Sequence, residues 1–230
     1  MHRSIGAIFA AAIALLARGA LAADAPAHDH GASTQQEVSC VPVAQRAGRQ
    51  LGCYVLAKED IGTPSSAPLY WHLLTYPTRA AAESAKGKTG SVVESYGKVW
   101  LLSIAEGNWM PKGGERVARV GPLPVNAGAT YTAEYMEATF LPGMKSRVHR
   151  HPGPEAWYVL NGEQCLETPG HKDVVRAGES GIVPQGPPMV LWGTGTAERR
   201  ALALILHDSS QPMSTPAPDW KPAGLCAAVK

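Results

Sequence analysis

Phenylalanine is almost missing from this chain, with two residues among 230. Charge is also sparse: Asp, Glu, Lys and Arg make up 17%, nearly balanced, for a formal net charge of +2. There is no basic stripe and no acidic tail, so nucleic acid and an anionic membrane surface find no complementary partner. Beyond Leu16 no apolar run is long enough to cross the ~30 Å of hydrocarbon in a bilayer. The four cysteines never fall two to four residues apart, which argues against a Cys-rich zinc cluster. No nucleophile–His–acid pattern and no Gly-rich phosphate loop can be read.

The one long apolar stretch lies at the start. His2 and Arg3 form a short cationic region, Ile5 to Leu16 is apolar, and Ala20-Leu21-Ala22 is a small-x-small cleavage pattern. Residues 1–22 therefore read as an export signal, with the mature chain beginning near Ala23 in the periplasm or outside the cell. Arg3 and Arg18 leave with the signal, so the mature chain carries no net charge and needs no membrane after cleavage. In an oxidising compartment Cys40, Cys53, Cys165 and Cys226 read as structural disulfides. Three connectivities are open. Cys40–Cys53 is favoured because Gly48 and Gly52 allow a hairpin between them, and Cys165–Cys226 because it would pin the tail.

Residues 23–37 are small and polar, a flexible arm containing His28-Asp29-His30, which could capture a Cu²⁺ ion but has no scaffold around it. Residues 38–128 read as a small α+β unit. Strands are expected at Cys53 to Lys58, Leu69 to Tyr76, Ser91 to Glu94 and Val99 to Ala105, with a helix from Arg79 to Lys86 capped by Thr78 and stopped at Gly87. His72 lies in an apolar strand, where a packed histidine is expected. From 129 to 210 short strands alternate with Gly and Pro, as in a sandwich or barrel. Residues 211–230 form a Pro-rich tail.

The chemistry concentrates between Gly143 and Gly162. On an extended run, His149 and His151 place both imidazoles on one face. The turn Pro152-Gly153-Pro154 can bring Glu155 back toward them. Two neutral nitrogens and one anionic oxygen are the donor set of a zinc site or of an open-sided Fe(II) site.

Residues 143–162 resemble the first signature of the cupin superfamily: Gly, five residues, His-x-His, three residues, Glu, six residues, Gly. Gly143, His149, His151, Glu155 and Gly162 fill every fixed place. Of the second signature, Gly178, Pro184 and Gly186 match, but Met189 stands where the family has its third histidine and Gly193 where it has Asn. The resemblance covers residues 130–208 and implies a mainly β fold, a double-stranded β-helix or jelly-roll barrel, preceded here by the small α+β unit. It points His149, His151 and Glu155 into the barrel and makes a homodimer expected, but does not by itself imply a bound metal; the donor set is what leads to the expectation of a divalent transition metal (Fe, Zn, Cu, Mn or Ni) on those three residues, with a small-molecule ligand. If the protein is an enzyme, metal-dependent oxidoreductase chemistry is the first expectation and isomerase the second; a non-catalytic binding barrel is the alternative.

Met189 can be read as core filler, the favoured reading, or as a soft metal contact. His207, expected at an exposed strand end, is a second candidate for the fourth contact. If the histidines face inward, alternation places Arg147 beside them, Trp157 and Val159 beside Glu155, and Leu191 beside Met189. Arg147 is expected at the solvated rim.

Overall fold

The computed structural model describes residues 37–65 and 67–227, together with His2. The expected export signal and the His28-Asp29-His30 arm lie outside the described residues. Among the described residues no helix is long and apolar enough to cross a membrane.

The fold is mainly β. Its centre is a six-stranded sheet in the order Ser180–Val183, Glu155–Asn161, Arg199–Asp208, Tyr131–Phe140, Gly52–Gly62, Cys40–Pro42, antiparallel except for the last pair. A five-stranded sheet runs Glu37–Val38, Lys145–Ser146, Val190–Thr194, Glu163–Thr168, His171–Arg176. A third, four-stranded sheet holds Ser91–Ser95, Lys98–Glu106, Leu69–Tyr76 and Glu115–Val120.

The central sheet is covered on both faces, which explains why all ten residues of Tyr131–Phe140 are buried, the polar Thr132, Glu134, Glu137 and Thr139 among them. Its odd positions Tyr131, Ala133 and Tyr135 pack with Leu202, Leu204 and Leu206 against Trp71, Trp100 and Leu102 of the four-stranded sheet. Its even positions Met136, Ala138 and Phe140 join Ala201, Ala203 and Ile205 in the barrel core, opposite Leu166, Met189 and Leu191. Period-two alternation thus serves two cores at once. The helix Arg79–Ala85 starts where Thr78 accepts a hydrogen bond from Ala81 N–H at 3.1 Å, and its Ala82 covers the far side of the four-stranded sheet.

Three expectations need correction. Cys40–Pro42 and Gly52–Gly62, read as part of the N-terminal unit, extend the barrel sheet instead, because Tyr131–Phe140 needs a second hydrogen-bonding neighbour. The α+β part is therefore the stretch from Leu69 to Val120, and it includes an edge strand, Glu115–Val120, that its mixed charged and apolar sequence concealed. The extended run Arg147 to His151 is ladder-paired only at His149–Arg150, which joins Thr215–Pro216 of the tail. Both favoured disulfides are present, Cys40–Cys53 with Cα atoms 4.4 Å apart and Cys165–Cys226 at 5.6 Å. They fit an oxidising environment.

Candidate metal centre

The turn between the ligands is built by close contact. Pro152-Gly153-Pro154 lies against the strand Arg199–Asp208, where Leu206 N–H donates to Pro154 O and Asp208 N–H to Pro152 O, each at 3.0 Å. A Cβ on Gly153 would sit 1.9 Å from Leu206 O, so only glycine allows the turn to dock. Docking delivers Glu155 into the central sheet beside Ile205 and Val183.

His149, His151 and Glu155 converge, their donor atoms all within 4.8 Å of one another. His151 is 3% exposed and Glu155 9%. His149 Nδ1 is 2.6 Å from Arg147 O and His151 Nδ1 is 2.6 Å from Met213 O. A carbonyl oxygen can only accept, so both Nδ1 atoms carry the proton and both Nε2 atoms present lone pairs in the neutral rings. Those two Nε2 atoms stand 2.9 Å apart, and His151 Nε2 is 3.4 Å from Glu155 Oε2. Burial, followed by the neighbouring His151, pulls the His149 pKa below its ordinary value. Burial works against the Glu155 carboxylate, but the neighbouring His151, followed by His149 and Arg199, outweighs it and holds that carboxyl below its ordinary range. The shifts at His149 and Glu155 favour a neutral imidazole and a carboxylate, the donor states a divalent cation requires of them.

The trio opens on a cavity of about 310 Å³ whose wall is mostly apolar, with Met136, Phe140, Leu191 and Ile205 among its residues. Arg147 and Leu191 lie on this wall, Arg147 with its side chain exposed. Trp157 and Val159 share the inward face but are fully buried in the barrel core behind it. Trp157 is held there by Gly181, where a Cβ would fall 2.5 Å from the indole. Met189 is buried in the same apolar cluster, in keeping with the core-filler reading. His207 is buried rather than exposed; its Nδ1–H donates to Asp208 O at 2.9 Å and its Nε2 is 3.5 Å from Glu134 Oε1. It partners Glu134, not the trio.

Two site residues escaped the sequence reading. Met213 O orients His151 across 62 residues of chain, a contact no local pattern signals. Arg199 also lines the cavity, and it shares the parity of Ala201, Ala203 and Ile205; carrying the strand's alternation one step back would have found it.

No protein-family model matches the chain, and no curated protein matches it. Among solved structures it is similar to an oxalate oxidase, at 25% identity and a TM-score of 0.33 over 37% of this chain and 46% of that one. It is similar to a cupin-like protein from Thermotoga maritima at 17% identity and a TM-score of 0.33, over 37% of this chain and 64% of that one. A third is a DMSP lyase, DddQ, from Ruegeria pomeroyi, at 21% identity and a TM-score of 0.34, over 39% and 45%. The chain spans less than two thirds of the length of each. With a complete first signature presented by jelly-roll sheets, the chain resembles the cupin superfamily.

Proposed function

We propose that this protein is an exported metal-binding cupin barrel that binds or acts on a small organic molecule, with a divalent transition metal held by His149, His151 and Glu155. The observation that carries this reading is the pair of Nε2 atoms at 2.9 Å, each ring locked by a carbonyl on its other nitrogen. Two nitrogens this close must share either a proton or a metal cation. Locking of the second ring nitrogen is also what orients metal-bound histidines. A divalent transition metal, when bound, supplies Lewis-acid or redox chemistry at an open coordination face.

The chain supplies the remainder. Arg147 O and Met213 O hold the rings, Glu155 stays ionised, and apolar walls keep water from competing for a ligand. If the site is catalytic, oxidoreductase chemistry is the first choice and isomerisation the second. A non-catalytic binding barrel is the other reading, favoured by Met189, which puts a buried thioether where a third imidazole would complete the four-ligand set. The leader-like N-terminus and the two disulfides support export to the periplasm or beyond.

Elemental analysis of the exported protein, produced with iron, copper, zinc, manganese and nickel all present, is the test. Near-stoichiometric metal is expected in the wild type and none in His151→Ala, whose β-rich circular dichroism should persist. Metal-free wild type after reconstitution would leave the binding-barrel reading, and unchanged metal in His151→Ala would remove the trio.

A further inference from the structure

Arg199 is a buried cation that makes no ion pair among the described residues, although the more distant Glu155 carboxylate acts on its charge. Its side chain is 2% exposed, yet it lines the cavity. Its Nε–H donates to Gln164 Oε1 at 2.8 Å, Nη2 donates to the same oxygen, and Nη1 reaches Ala138 O only at 3.4 Å. Every one of these acceptors is neutral, and among the described residues no carboxylate forms an ion pair with it. A guanidinium has five N–H donors, so two remain without an acceptor. The amide of Gln164 cannot turn to help, because its oxygen is already held by the guanidinium; its Nε2 is itself buried with no partner. Phe140 covers one face of the guanidinium at 5.4 Å.

Burial pulls the Arg199 pKa down to about 10, so the group is still charged at neutral pH. Retaining a buried charge paired only with neutral oxygens costs several kcal/mol in general, which makes a purely structural role expensive. Arg147, the other cavity-lining guanidinium, is exposed and loses little by being unpaired. The backbones of Arg199 and of the trio stand apart along the cavity, Arg199 pairing with Phe140 and Ile205 with Glu155, yet the guanidinium reaches back far enough that its charge and that of Glu155 act on each other. Six residues of strand separate those pairs, roughly 20 Å of backbone at ~3.3 Å per residue, a gap that the long arginine side chain shortens.

We propose that Arg199 is the anchor for the carboxylate of the ligand, and that the ligand is a small monocarboxylic acid with an apolar body. This deepens the function proposed above and rests on it for the opposite, metal-bearing end of the molecule. A carboxylate takes two parallel N–H donors from a guanidinium, and Arg199 has two to give. The apolar wall between the poles accepts a body of hydrocarbon or aromatic character. At ~30 Å³ for a water-sized unit, the cavity holds on the order of ten non-hydrogen atoms.

The test uses full-length metal-free protein, so that carboxylate binding at the trio's metal cannot contribute. Hexanoate and benzoate are compared with hexanamide and benzamide by titration calorimetry, with NMR observation of the Arg199 Nε–H. Each acid is expected to bind at least about tenfold more tightly than its amide, the size of one lost charge-assisted hydrogen bond, and to shift the Nε–H resonance. Arg199→Gln should erase the preference, while Arg200→Gln, which removes the same charge from the outer face of the strand, should keep it. Equal binding of acid and amide by the wild type, no saturable binding of either acid at millimolar concentration, or a preference surviving in Arg199→Gln would each overturn the proposal. If Arg199→Gln fails to fold, the wild-type acid–amide comparison and the Nε–H shift decide it. Because no metal is present, failure here is separate from failure of the trio to bind one.

Discussion

Met189 and His149 face each other across an isolated antiparallel bridge: His149 N–H donates to Met189 O at 3.1 Å, and Met189 N–H donates to His149 O at 2.8 Å. Directly opposed residues in an antiparallel pair project to the same side of the sheet. Position 189 is therefore the cross-strand neighbour of a candidate ligand, which is where the cupin pattern puts its third histidine.

Met189→His should accordingly tighten divalent-metal binding by roughly tenfold or more, about 1.4 kcal/mol. Competition against a chelator of known affinity measures it. No tightening would mean that the side chain at 189 serves only the apolar cluster.

Gly153→Ala tests the docking of the turn. A Cβ there would stand 1.9 Å from Leu206 O and 2.7 Å from His207 Cα, both backbone atoms that cannot swing aside. The expected cost is about 1–3 kcal/mol of stability, typical of overpacking, together with weaker metal uptake as Glu155 is displaced. Denaturant unfolding and elemental analysis read the two effects; a variant matching wild type in both would show that the turn can relax.

His72 provides a test through pH. Burial is the main force pulling its pKa below 6.5, and it outweighs the hydrogen bond from Nε2–H to Glu106 O at 2.9 Å. Its Nδ1 is buried without a partner, so protonation is not welcome in the folded state. Below pH 6.5 the unfolded chain binds a proton that the folded chain resists, so the contribution of His72 to stability is present above 6.5 and is lost as the pH falls toward the folded pKa. His72→Leu should flatten the fall in stability over that window. Urea unfolding at a series of pH values checks it, and an unchanged slope would show that other groups set the acid sensitivity.

Much of the site could be read without coordinates, because it depends on short-range spacing. His149, His151 and Glu155 lie within seven residues, and extended geometry followed by a Pro-Gly-Pro turn is enough to bring them together. Strand alternation set Arg147 beside the histidines, Leu191 beside Met189, and Trp157 and Val159 on the side of Glu155; Arg147 and Leu191 line the cavity, while Trp157 and Val159 lie in the core cluster. It could not show that these last two end behind the wall, because depth within a barrel depends on neighbours such as Gly181.

By itself, the sequence determined the mainly β character, the donor trio and the absence of the third histidine in the second signature, all of which follow from residue identity and local periodicity. Tertiary structure alone decided which sheet takes Gly52–Gly62, which carbonyl locks His151, where His207 turns, and that Arg199 is sealed beside a cavity with its hydrogen bonds going to neutral oxygens. Those outcomes depend on pairings between segments far apart in the chain. The energy of such a pairing resides in the shared interface, and neither strand's own sequence carries it.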